Sequence, residues 1–277
     1  MSVSRSLRPY SKFLSVRFQS LLQYRAAAWA GIVCQFFWGL IMIMSLQAFY
    51  RSSSAVPPIS LKRAVSYIWL GQAFLGMLPW NIDKDMDRMI RDGSLCYEML
   101  RPLDLYLYWF LRSFSWRFST MILRVIPQVI FAALVLPLLG LPEWALVLPG
   151  RAVVYPAWLI SLSLALLLST AITTAANISL LWSISGTGTG QLIGTFVTLF
   201  SGMVIPLPFF PDSWQVVMRL QPFHGLLDGP ARIFTGDIPL NEVPLEWGLQ
   251  FFWILCFVAL GRFMVGAGTK RLVVQGG

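Results

Sequence analysis

From Ala152 to Pro211 the chain runs 60 residues without one Asp, Glu, Lys, Arg or His. No globular domain needs such a run, and a bilayer crossing needs only about 20 residues. The stretch is too long for one crossing and predicts two, spans at about 153–182 and 186–206. The turn falls in Ser183–Gly190 (SISGTGTG), where small polar residues gather. Within it Gly186, Gly190 and Gly194 repeat at four residues, a small-xxx-small pattern that lets helices pack closely. The glycines do not form a phosphate loop, because no Lys follows to reach phosphates.

Other apolar runs complete the pattern. Ala26–Tyr50 is 25 residues without an Asp, Glu, Lys or Arg, bounded by Arg25 and Arg51, and predicts a first span over 26–50. Ala64–Ile82 predicts a second over 64–82. The third run carries Arg112, Arg117 and Arg124, and only Val125–Pro142 is free of charge. Its span is placed at about 113–139, with Arg112 and Arg117 snorkelling to the interface and Arg124 deeper, facing protein or water. Arg124 reads either as a contact to cargo or a gate, or as a packing residue. A last span covers 247–265. Between 207 and 235 prolines and aromatics alternate, too apolar for a free loop and too interrupted for a crossing. This segment is expected to dip into the outer leaflet, with short helices at Asp212–Leu220 and Gly225–Phe234. His224, the single histidine, reads as a capping or packing residue. Residues 1–25 hold five basic residues, no acid and a helical apolar stripe (Leu7, Tyr10, Leu14, Phe18, Leu21), the mark of an amphipathic interfacial helix.

Asn81–Asp104 stands apart from all of this. It packs ten charged residues into 24 positions and cannot sit in hydrocarbon. Asp83–Arg91 has helical composition with acids first and arginines later, as the helix dipole favours. Gly93 can end that helix at positive φ. Leu95–Leu100 allows a second turn, stopped at Arg101-Pro102. A short charged helix held rigidly at the membrane surface can act as a lever for a docked protein. Asp87, Arg88, Arg91, Asp92, Glu98 and Arg101 are the expected partner contacts.

The net charge of +9 is distributed as a membrane topology rather than as a nucleic-acid surface. With six spans, 15 of the 21 Lys and Arg fall on the side of the termini and of 81–104, while the acids divide evenly. The positive-inside rule makes that side cytoplasmic. No cleavable signal peptide is visible in the basic N-terminus. Three scattered cysteines and one histidine give no disulfide or metal pattern. Intramembrane enzymes need a nucleophile with a base, a metal cage or paired carboxylates. The rhomboid-type GxSG is missing at Ser201-Gly202, and the acids lie in predicted loops. Self-powered transport by proton or sodium coupling lacks buried carboxylates, and no ATP motif is present. The chain is expected not to be an enzyme, and any transport must draw energy from another chain.

The arrangement resembles ABC-2-type transporter permeases, the membrane part of type V ABC exporters. The resemblance rests on Ile90-x-x-Gly93-Ser-Leu95 with Met99-Leu100-Arg101-Pro102-Leu103, on Ser201-Gly202-x-x-Ile205-Pro206 with Phe210-Pro211 and Trp214, and on Pro222-Phe223, Gly229-Pro230 and Ile233-Phe234-x-Gly236. It covers almost the whole chain. It implies an all-α membrane protein: six transmembrane helices, an N-terminal amphipathic interfacial helix (1–25), a cytoplasmic coupling helix in loop 81–104 and a re-entrant element before the last helix, in one transmembrane domain over 26–277. It implies a bacterial plasma (inner) membrane location with both termini cytoplasmic. As partners it implies two copies of an ABC ATPase subunit and a second permease chain, identical or related, besides membrane lipid. The subgroup most resembled pairs two different permease chains with a separate ATPase, and some members export lipophilic cations such as viologens. This chain would bind no cofactor; ATP and Mg would sit on the ATPase. Export of a hydrophobic or amphipathic compound would pass Phe36, Phe37, Trp38, Arg124 and Phe196. The competing reading is a non-transporting scaffold or assembly factor that recruits a cytoplasmic protein through loop 81–104.

Overall fold

The computed structural model describes residues 10, 12–16, 18–20, 25–52, 57–100, 103–183 and 186–269. Described residues form helices and connecting turns, with no strand among them. The long elements are α1 (Arg25–Ser52), α2 (Leu61–Phe74), α5 (Leu105–Leu138), α6 (Val154–Ser179), α7 (Gly186–Phe200) and α10 (Val243–Gly268). Short helices lie between them: α3 (Lys84–Arg91), α4 (Leu95–Met99), α8 (Asp212–Leu220) and α9 (Asp228–Thr235). Of the expected interfacial helix, residues 10, 12–16 and 18–20 are helical. They lie along α5, with Phe13 on Tyr108 and Phe18 on Phe118 at ring-centroid distances of 4.7 and 5.7 Å.

Four helices, α1, α5, α6 and α10, are long and apolar enough to cross a membrane by length and composition. The chain is therefore an all-α, multi-pass membrane protein. The second and fifth expected spans are shorter as helices. At about 1.5 Å per residue, α2 and α7 reach roughly 21 and 23 Å, against about 30 Å of hydrocarbon. The helical part of the second ends in a 3₁₀ turn at Leu75–Met77, just before Pro79. Every residue from Ala64 to Phe74 is buried, so α2 is the centre of the bundle, packed between α1, α5 and α9. Its C-terminal carbonyls end inside protein and need donors there. Thr120 Oγ1 of α5 donates to Gly76 O at 2.8 Å, Ser169 Oγ of α6 donates to Met77 O, and Trp80 Nε1 donates to Leu75 O at 2.9 Å. Gly39 lets α1 approach closely, because a Cβ there would meet the Trp69 ring.

The third span differs from expectation. It starts at Leu105, not near Ser113, with Asp104 as its N-cap accepting from Leu107 N at 2.6 Å. Arg112 and Arg117 lie inside the helix and are buried, where the sequence reading had them snorkelling. Each has found polar partners inside the protein, which removes the need to reach water. The helix contains Pro127 and, one turn later, a single π turn at Phe131–Val135.

The segment after α7 folds back onto α2 and α6 through α9. His224–Ala231 is buried throughout, while α8 leaves Trp214, Val216, Val217 and Leu220 exposed. The last span begins at Val243, with Pro244 in its first turn.

Candidate functional site

At one end of the bundle the charged segment stands on two footings. Asp83 caps α3, its Oδ1 accepting from Asp85 N at 2.9 Å and Met86 N at 3.3 Å. The same carboxylate receives Arg112 of α5: Nε donates to Oδ2 at 2.5 Å and Nη2 to Oδ1 at 3.1 Å. Arg112 also stands 3.8 Å from Glu98, and all three side chains are more than nine-tenths buried. Glu98 accepts from Trp109 Nε1 at 2.9 Å. Deeper, Arg117 donates to Asn81 O at 2.9 Å and to Thr173 Oγ1 at 3.1 Å. Asn177 of α6 accepts from Asp83 N at 2.9 Å. Segment 81–98 is thus tied to α5 by buried, charge-assisted bonds and to α6 by the Asp83–Asn177 bond.

The outward face is a mosaic. Arg88 lies 3.5 Å from Asp85 and Arg91 lies 3.0 Å from Asp87, both solvent-facing i,i+3 or i,i+4 pairs. Gly93 adopts φ +75° and turns the chain. Asp92 receives Ser94, whose hydroxyl and backbone N–H hold the carboxyl below its usual range. Beside these charges Tyr97 is 71% and Leu100 80% exposed, with Met99 also outside. Exposed apolar side chains ringed by charge are a surface of the kind that another protein can cover.

Of the expected contacts, Arg88, Arg91 and Asp92 share this face; Asp87 pairs with Arg91 at its edge, with its carboxylate turned against Gly186 of α7. Glu98 lies off the face: it is turned inward onto Arg112 and Trp109, because α4 puts Leu95 and Glu98 on its buried side. Arg101 lies outside the described residues. Sequence reasoning missed Tyr97 and Leu100; the charges around them drew attention away from apolar residues in a hydrophilic stretch.

The glycine stripe has a different partner from the one expected. Its face packs on residues 80–82 and on Asp87 in the first turn of α3 rather than on another long helix. A Cβ at Gly186 would meet Ile82 and Asp87, and one at Gly194 would stand 3.1 Å from Trp80 O. Gly190 has ordinary clearance, 3.8 Å from Ile82. A cavity of about 300 Å³ opens there, lined by Trp80, Lys84, Asp87, Thr187 and Gln191 among others. Phe37 and Trp38 on α1 and Phe196 on α7 are exposed on the bundle surface. Phe36 stacks on Phe131 at 4.1 Å. Arg124 lies against Gly31, its Nη2 3.1 Å from where a Cβ would be, and makes no ion pair among the described residues.

The opposite end holds a second buried ion cluster, which the sequence did not announce. His224 Nε2 contacts Glu246 Oε2 at 2.7 Å. Its Nδ1 faces Asp228 Oδ2 at 3.0 Å, an ion pair off the line of a hydrogen bond. The three residues are 2%, 1% and 0% exposed. Tyr67 Oη of α2 donates to Asp228 Oδ1 at 2.7 Å, and Leu207 N donates to the same oxygen at 3.3 Å. Arg219 bonds Glu246 at 2.8 Å and Glu242 at 2.9 Å. Arg232 stands 3.6 Å from Asp228 and bonds Asp237 at 2.6 Å. Acids expected in loops are therefore buried beside the one histidine. Its i,i+4 spacing to Asp228 was the only local signal. Among the described residues no group of His, Cys, Asp and Glu is arranged to hold a metal ion.

Residues 26–276 match the family model described as ABC-2 family transporter protein. No curated protein and no solved structure matches the chain.

Proposed function

We propose that this chain, which belongs to the ABC-2 transporter family, is the transmembrane permease subunit of an ATP-driven exporter that moves a hydrophobic or amphipathic compound out of the cytoplasm or inner leaflet. The observation that carries this is the two-sided build of segment 83–100. Its inner side is bonded to α5 through Arg112, Asp83 and Glu98. Its outer side offers Arg88, Arg91, Asp92, Tyr97 and Leu100. A partner that pulls on the outer side moves α5 and α6 with it, since buried charge-assisted bonds resist being parted singly.

In this reading the partner is an ABC ATPase, two copies per complex, which binds ATP and Mg; the chain itself carries no catalytic site and no cofactor. The chain crosses the plasma membrane of a bacterium six times. α2 and α7 continue through their non-helical ends as the second and fifth crossings, and 207–235 is a re-entrant element. Both termini and segment 83–100 are cytoplasmic, in accord with 15 of 21 basic residues on that side. Phe37, Trp38 and Phe196, exposed on a single chain, face a second permease chain, identical or related, and the path between the two. Small movements of segment 80–87 reach α7 directly through the glycine face.

The test is to extract the tagged chain in mild detergent from its native membrane and identify what accompanies it by mass spectrometry. An ATPase with Walker motifs at about one per permease supports the reading, and a second permease shows a heterodimer. A complex that lacks any ATPase, from a preparation that keeps other transporters intact, overturns it in favour of a scaffold.

A further inference from the structure

We propose that His224, held between Asp228 and Glu246, is a proton-binding clasp: the closed end of the bundle carries one proton on the imidazole, and parting of the clasp releases it. Both ring nitrogens face carboxylate oxygens, at 2.7 and 3.0 Å, inside protein. With both carboxyls ionised, a neutral ring would set a lone pair against one of those oxygens, so the arrangement closes with both nitrogens protonated. With His224 charged, the surrounding groups balance. His224, Arg219, Arg232 and Arg63 face Asp228, Glu246, Glu242 and Asp237, linked at 2.6 to 3.8 Å. Tyr67 donates to the remaining oxygen of Asp228. Loss of the proton leaves two buried carboxylates sharing too few cations.

The cluster is also the joint between separate elements. Tyr67 belongs to α2, Asp228 to α9, Arg219 to α8 and Glu246 to α10, and Leu207 N comes from the turn after α7. A cavity of about 200 Å³ lined by Leu207, Val216, Arg219, His224, Asp228 and Arg232 gives water a way to the ring. Burial alone would push the imidazole down; the two carboxylates outweigh it and raise it to about 9, from the usual 6.5. A group raised in the closed form stabilises that form fully below about pH 6.5, and the stabilisation is lost as pH rises through about 9. Between those values any opening of the clasp releases the proton. The clasp rests on the proposed topology only for the side to which that proton goes, the outside of the cell.

The test uses the purified full chain with Cys34, Cys96 and Cys256 replaced by alanine, and spin labels at Lys62→Cys and Ser213→Cys, both exposed positions. Double electron–electron resonance reads the distance between α2 and α8 from pH 6 to 10. The expected result is one narrow distance up to pH 8 and a longer component that grows through about pH 9. In His224→Gln the longer component is expected at every pH, without titration. Tyr67→Phe keeps the ion trio and weakens only the tie to α2, so its midpoint should move to lower pH. A distance unchanged to pH 10, a His224→Gln chain that titrates like the parent, or a Tyr67→Phe midpoint that does not move overturns the clasp. A pH-insensitive chain that still brings down an ATPase sinks the clasp alone. A titrating chain without an ATPase sinks the exporter reading alone.

Discussion

Arg112 Nε donates to Asp83 Oδ2 at 2.5 Å, joining a helix of the bundle to the N-cap of a surface helix 29 positions earlier in the chain. Both side chains are more than nine-tenths buried, so removing either one takes the shortest charge partner from the other. Breaking a buried pair from one side costs about 3–5 kcal/mol. Arg112→Ala and Asp83→Ala should each lower the thermal midpoint sharply in detergent, Asp83→Ala more, because it also removes the cap. The pair Arg112→Met with Asp83→Asn keeps a cap acceptor and leaves no charge unmatched between them, and should lose less than Arg112→Met and Asp83→Asn measured singly and added. Equal losses in the double and the summed singles would show that the two residues do not act on each other.

The outer face of the same segment can be changed without this penalty. Arg88 and Arg91 make only solvent-facing ion pairs, each worth about 1 kcal/mol or less. Arg88→Glu with Arg91→Glu should leave folding near its original level and weaken recovery of the ATPase at least tenfold. It should also uncouple transport from ATP hydrolysis. Tyr97→Ser and Leu100→Ser should act in the same direction, by about 1–2 kcal/mol of binding each, as exposed anchors do at interfaces. Glu98→Gln serves as the contrast: it faces Trp109 and Arg112, so it should lower stability without first affecting ATPase recovery. Full ATPase recovery after the arginine reversals would remove this face from the docking reading.

These two faces show how much the sequence could say. The apolar runs, the Asp83–Arg91 composition and Gly93 belong to local physics, and α3 with its positive-φ glycine follows from them. Arg112 and Arg117 had two solutions, snorkelling or pairing, and the choice depends on Asp83 and Asn81, too distant in the chain for any periodicity to reveal. Glu98 sits in a five-residue helix, too short for its buried side to be read from spacing. The shortness of α2 was hidden because its freed carbonyls are bonded by Thr120 and Ser169, from helices not yet placed in space. His224 meets Glu246 across 22 positions rich in prolines and turns, where no repeat carries a signal.

The glycines of α7 are not equivalent, although they share a spacing pattern. Gly186→Ala must displace Ile82 or the Asp87 carboxylate, and overpacking of this kind costs about 1–3 kcal/mol. Gly188, two residues on, has nothing within 4 Å of an added Cβ. Gly188→Ala should be neutral or slightly stabilising, since alanine favours a helix by up to about 1 kcal/mol over glycine. Gly190→Ala should also be tolerated. Thermal midpoints of the three variants side by side check the assignment; equal behaviour of Gly186→Ala and Gly188→Ala would refute close packing on segment 80–87.

Gly202 ends α7 at φ +84°, and a Cβ there would run into Tyr67 Oη, the same hydroxyl that bonds Asp228. Two separate penalties therefore fall on Gly202→Ala. The left-handed backbone costs about 1 kcal/mol for a residue with a Cβ, and the clash with Tyr67 adds to it. Tyr67→Phe removes the hydroxyl, at about 1–3 kcal/mol for leaving a buried carboxylate oxygen short of a donor. The double variant keeps the backbone strain and loses the clash. Its total loss should fall below the sum of the singles by about 1 kcal/mol or more, the sign of residues in direct contact. Strict additivity would mean that α7 does not end against Tyr67, and the turn into Leu207 would then have to reach Asp228 by another route.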